Sequence, residues 1–164
     1  MATPENTHEH LYKLLKGFDT AMLVTQASNG DLHGRPMAIA ELSEDGDTYF
    51  ATSIDSPKVD EVEKAQKCLI TFQSSSQYAA VQGTALIVRD RALIEKMWQE
   101  TWKVWFPEGK TDPKLCLLKV DADRAEYWDN SGMQGLKYLF EGLKSVVQKK
   151  RPETDEIQNA KVTL

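Results

Sequence analysis

Residues 20–58, TAMLVTQASNGDLHGRPMAIAELSEDGDTYFATSIDSPK, decide the fold class. Thr20–Ala27 is rich in apolar and β-branched residues, and Ser28-Asn29-Gly30-Asp31 follows it. Asn-Gly tolerates positive φ and marks a tight hairpin. Leu32–Ser43 is the returning strand, Glu44-Asp45-Gly46-Asp47 a second turn, and Thr48–Ser53 a third strand. Three strands joined by two short turns predict an antiparallel meander. Ser56-Pro57 then offers a cap residue followed by proline at the first helical position, the start of a helix carrying Val59 and Val62 on its inner face.

Upstream, Thr3-Pro4-Glu5 opens a helix over about residues 4–16, with Leu11, Leu14, Leu15 and Phe18 at helical spacing and Gly17 as a stop. Downstream, Lys67–Gln73 and Tyr78–Arg89 predict two more strands around the polar turn Ser74–Gln77. Gly83 interrupts the second of these, as at a bulge or a close backbone approach. Asp90 caps a helix expected to carry Leu93, Ile94, Met97, Trp98 and Trp102 on one stripe, with Trp98 and Trp102 in the core. Leu115–Val120 and Ala125–Trp128 are expected as two closing strands, followed by a helix from Ser131 to about Lys150. Residues 1–150 are expected to form one domain with that C-terminal helix, and 151–164 a flexible tail. About seven strands in hairpin order with helices between them predict a mostly β, α+β protein, an antiparallel barrel rather than a doubly wound sheet.

The chain of 164 residues is 41% hydrophobic and 27% charged, a globular profile. Twenty basic against 25 acidic side chains leave a net charge of −5, which argues against nucleic acid as a partner. No apolar run approaches the roughly 18 residues of a spanning helix. The N-terminus is polar and acidic where a signal peptide needs a basic start and an apolar stretch, so a cytoplasmic protein away from membranes is expected. Cys68 and Cys116 stand in separate apolar runs without CxxC spacing, as buried thiols rather than metal ligands. Neither a GxGxxG nor a GxxxxGK[ST] pattern is present.

The polar groups that could do chemistry gather around the second and third strands. Arg35 lies among apolar neighbours, Thr52 and Ser53 end a strand, and Ser56 and Lys58 begin a helix whose free N–H groups favour anions. Together they can form a site for a dianionic phosphate. The plainer alternative keeps Ser56 as a cap, Lys58 in solvent and Arg35 paired with Glu41 or Glu44.

The order RPM at 35–37, FATSIDSPK at 50–58, KCLITF at 67–72 and YAAVQGTA at 78–85 resembles the pyridoxamine 5'-phosphate oxidase-like FMN-binding split barrels. Within that superfamily, VRDRALIEKMW at 88–98, WFPEG at 105–109 and AEYWD at 125–129 are most similar to the bacterial general stress protein branch. The resemblance spans roughly residues 8–130. It implies a homodimer with FMN at the subunit interface. By position it assigns the phosphate to Arg35 and to Thr52, Ser56 and Lys58 of a T-x-x-x-S-x-K pattern, and the flavin ring to Met37 and Ser53. It also makes Trp128 a wall supplied by the other subunit, with Trp105 and Phe106 in the same wall. The family's oxidases carry a substrate-binding lysine where this chain has Ala40, and an arginine-containing segment where it has Asp129–Met133, which speaks against vitamin B6 oxidation. Two functions lead: an FMN-dependent oxidoreductase acting with NAD(P)H or on a small molecule, and a non-enzymatic flavin store, sensor or stress-response partner. Behind them stand a split barrel binding haem or a deazaflavin, with no histidine in an obvious pocket position to ligate a haem, and an acidic scaffold without ligand. No catalytic acid or base is assigned.

Overall fold

The computed structural model describes residues 4–131 and 159–164. Beyond Ser131, the expected C-terminal helix lies outside the described residues. Three α-helices are described: α1 (Pro4–Leu15), α2 (Pro57–Lys64) and α3 (Arg91–Met97). Seven strands accompany them: β1 (Thr20–Gln26), β2 (Leu32–Leu42), β3 (Thr48–Ser53), β4 (Lys67–Gln73), β5 (Gln77–Val88), β6 (Leu115–Asp129) and β7 (Asn159–Thr163). The sheet runs β3-β2-β1-β4-β5-β6-β7, and β3 also pairs with β6. That last pairing closes six antiparallel strands into a barrel and leaves β7 outside the ring.

The meander forms as its turns dictate. Gly30 adopts φ +91° in the Asn-Gly turn, and β1 and β2 pair in unbroken register from Thr20 opposite Ala38 to Gln26 opposite Leu32. Strands β1, β3 and β4 alternate buried and more exposed residues along their length, the period of a strand with one face on a core. Leu11, Leu14 and Leu15 of α1 join Leu23, Phe50, Ile70, Phe72, Val81 and Tyr127 in the main apolar cluster. The thiols of Cys68 and Cys116 are buried, and burial pushes them up to about 12 and about 11 respectively.

The structure corrects the sequence reading in three places. First, β6 is one strand of 15 residues where two were expected. Its register against β5 steps from Arg124 opposite Gln82 to Ala122 opposite Gly83, so Asp123 is bulged out and the polar stretch continues the strand instead of ending it. Gly83 permits this: a Cβ there would stand 2.3 Å from the Asp121 carbonyl oxygen and 2.7 Å from Val120. Second, residues 159–163 are not a flexible tail but β7, paired with β6 from Arg124 to Trp128. Val162 and its partner Ala125 are both buried in the main cluster. Third, the helix after Asp90 stops at Met97, and Trp102 belongs to a separate 3-10 turn, Glu100–Val104. This segment lies over the outside of β3 and β6, where Ile94, Met97, Trp102, Phe106, Leu115 and Leu117 form a second apolar cluster.

Candidate functional site

Where β3 gives way to α2, the chain gathers three polar side chains. Thr52 lies near the end of β3, nearly buried at 5% exposure, and Pro57 occupies the first turn of α2. Lys58 follows, and its Nζ donates to Thr52 Oγ1 at 3.2 Å and to Ser56 Oγ at 2.6 Å. Ser56 stands at the N-cap position, yet its side chain makes no capping bond. The helix starts on its proline, and the serine hydroxyl faces the lysine instead. Burial pushes the Lys58 ammonium below its ordinary pKa, and the Arg35 guanidinium pushes it further. An anion beside Lys58 opposes both effects.

This polar corner is one end of a cleft of about 470 Å³, within the range of small-molecule sites. Strand β2 contributes Pro36, Met37 and Ala38, and β3 contributes Ala51, Thr52 and Ser53. Ser56 and Lys58 complete the polar lining, and Trp102, Trp105 and Phe106 supply an aromatic wall. Local chemistry holds that wall in place. Asp90 caps α3 by accepting from the Ala92 and Leu93 amides. Arg91 donates to the carbonyls of Asp112 at 2.9 Å and Leu115 at 2.7 Å, tying the start of α3 to the end of the loop. Trp102 meets Trp98 edge to face, centroids 5.7 Å apart. Phe106 is buried, whereas Trp105 is 78% exposed. A broad aromatic face thus remains open to solvent at the mouth of the cleft.

Seven of the nine residues picked out in the sequence therefore line one cleft: Met37, Thr52, Ser53, Ser56, Lys58, Trp105 and Phe106. Arg35 and Trp128 are not among its lining residues. Arg35 stands next to Pro36 on β2, and its partner is neither Glu41 nor Glu44. One guanidinium nitrogen donates to Glu61 Oε2 at 2.9 Å and the other to Thr25 Oγ1. Thr25, itself buried, donates to the same Glu61 oxygen at 2.5 Å, and His33 Nδ1 lies 2.6 Å from the other. Burial raises the Glu61 pKa, but three hydrogen bonds and the Arg35 charge outweigh it and hold the carboxyl at about 2. Trp128 is remote along the chain's own strand. Thr52 pairs with Cys116 on β6, and the twelve residue steps from there to Trp128 span about 40 Å of extended strand.

A family model described as pyridoxamine 5'-phosphate oxidase like matches residues 6–153. The chain belongs to that family. Within the pyridoxamine 5'-phosphate oxidase-like family its likeness runs to the general stress proteins. The general stress FMN/FAD binding protein of Xanthomonas citri is 30% identical, with a TM-score of 0.66 covering 79% of this chain and 92% of that one. General Stress Protein 26 of Bacillus anthracis str. Sterne is 27% identical, again at TM-score 0.66, over 73% and 92% of the two chains. Protein bli-3 of Neurospora crassa is 33% identical over 119 residues, 65% of this chain and 57% of that relative, so this chain spans little more than half of its length.

Sequence reasoning missed four residues at or behind this cleft: Trp102, which both packs in the outer cluster and lines the cleft, and the trio Thr25, His33 and Glu61 around Arg35. Glu61 left a faint signal, a carboxylate between the inward-facing Val59 and Val62 and one turn from Lys58.

Proposed function

We propose that this chain is an FMN-binding protein of the general stress type, working as a cytoplasmic homodimer. The observation that carries the reading is the convergence of Lys58 Nζ on the Thr52 and Ser56 hydroxyls at the polar end of an apolar, aromatic-walled cleft. That donor set fits a phosphate monoester, and the remaining wall fits a flat ring with polar edges. In this reading Lys58, Thr52 and Ser56 hold the phosphate with Arg35 behind them. Met37 and Ser53 lie against the ring, and Trp105 and Phe106 cover it. Bound FMN would supply hydride and one-electron chemistry, while the protein supplies orientation and charge. Trp128 completes the site from the second chain, because its own strand carries it too far from its own cleft.

Among the described residues that line the cleft, Lys58 is the one acid or base. The same geometry therefore serves an oxidoreductase using NAD(P)H or a small molecule, or a flavin store, sensor or stress-response partner. Reduction of the bound flavin by NADH or NADPH at a useful rate separates the two. Pyridoxamine phosphate oxidation is not part of the reading: Ala40, at the position of the oxidases' substrate lysine, packs against the outer apolar cluster.

Titration calorimetry with FMN, FAD and riboflavin tests the cradle. FMN is expected to bind best. Lys58→Ala is expected to weaken it about 10- to 150-fold, the worth of one charge-assisted hydrogen bond at roughly 1.5–3 kcal/mol. Equal affinity for riboflavin in the wild type overturns the phosphate assignment.

A further inference from the structure

The cradle has a charge partner of its own. Glu61 lies one turn after Lys58 on α2, is 9% exposed, and takes two hydrogen bonds on one oxygen, from Arg35 and Thr25. His33, half exposed, engages its other oxygen. Thr25 closes the ring by accepting from the second guanidinium nitrogen of Arg35. A carboxylate held this way is ionised throughout the physiological range, so the Arg35 charge is compensated within the protein. Nothing in the phosphate-binding reading requires this group: a site built only to hold a phosphate gains from Lys58 and Arg35 together and loses from an anion beside them.

We infer that Glu61 is a positioning residue that sets the anion affinity of the cradle. It fixes the Arg35 guanidinium against β1 and offsets part of its charge, so that an incoming phosphate meets Lys58 and a partly compensated Arg35 rather than two bare cations. The phosphate ligand is then held less tightly than two bare cations would hold it. This inference rests on the phosphate-cradle reading and adds to it the group that limits its strength.

Glu61→Gln separates charge from shape. A glutamine oxygen in place of Oε2 still accepts from Arg35 and Thr25, and its amide nitrogen can donate to His33 Nδ1 in the appropriate tautomer. FMN and riboflavin serve as probes, their affinities measured by fluorescence quenching at two salt concentrations. Removing one negative charge a helical turn from Lys58 is expected to tighten FMN roughly tenfold. The gain shrinks at high salt, and riboflavin, which lacks the phosphate, is unaffected. A merely structural role for Glu61 moves both ligands together. His33→Lys is the second variant, placing a fixed cation on the other carboxylate oxygen from a half-exposed position, and it is expected to shift the FMN-to-riboflavin ratio the same way. If the wild type prefers FMN but neither variant raises that preference, the inference is overturned and the cradle stands. If the wild type binds both ligands equally, the cradle falls and the inference with it.

Discussion

Lys58 and Glu61, one turn apart on α2, show how environment separates two ordinary charged residues. Lys58 is disfavoured as a cation by burial and by Arg35, whereas Glu61 is strongly favoured as an anion by three donors. The second shift has a measurable consequence for stability. The folded pKa of Glu61, about 2, lies below its ordinary value of 4.5. Its contribution is therefore fully present above about pH 5 and is lost as pH falls through the folded value. Urea unfolding of the wild type is expected to lose on the order of 2–3 kcal/mol from this group between pH 5 and pH 2. Glu61→Gln is expected to lack that component, with a shallower acid limb. Equal acid limbs in the two proteins contradict the charge network as described.

At the scale of elements, two helix starts look alike in sequence and differ in function. Asp90 and Ser56 both precede a helix, but only Asp90 bonds the helix amides, accepting from Ala92 and Leu93 at 2.9 and 3.2 Å. Ser56 makes no such bond: Pro57, which has no N–H to satisfy, starts the helix, and the serine hydroxyl meets Lys58 instead. Asp90→Ala is thus expected to cost about 0.5–2 kcal/mol of stability. Ser56→Ala is expected to stay within about 0.5 kcal/mol of wild type while weakening FMN. Thermal melts paired with FMN titrations separate the two outcomes. A large loss of stability in Ser56→Ala would show that the serine is structural after all.

For the whole molecule, the decisive element is β6. Its first part closes the barrel between β3 and β5, and beyond Val120 it leaves β3 and takes up β7 from Arg124 onward. One strand thus joins the neighbourhood of Thr52 to the distant position of Trp128, and the proposed dimer would bring the Trp128 of one chain to the cleft of the other. A mixed dimer of Lys58→Ala and Trp128→Ala chains checks this. With a shared site, one cleft per mixed dimer contains both native residues and binds FMN as the wild type does, while the other carries both lesions. A mixed dimer without any wild-type-affinity site, or a monomer that binds FMN fully, refutes the shared arrangement.

The residues by themselves determined the local architecture: the Asn-Gly and Asp-Gly turns of the meander, the buried alternation of β1, β3 and β4, the apolar face of α1, and the proline start of α2. They also placed Thr52, Ser56 and Lys58 within seven positions, close enough for spacing alone to suggest an anion site. These features are legible because each depends on neighbours along the chain. Tertiary structure decided the rest. Asp121-Ala122-Asp123 looks like a break between strands, yet pairing with β5 absorbs it as a bulge at Gly83, and β7 becomes ordered strand because β6 extends far enough to receive it. Arg35 meets Glu61 across 26 positions and Thr25 meets it across 36. A carboxylate on a short helix becomes buried and fully paired only when the barrel brings β1 and β2 against α2, since the desolvation of its charge is offset by donors that no local segment contains.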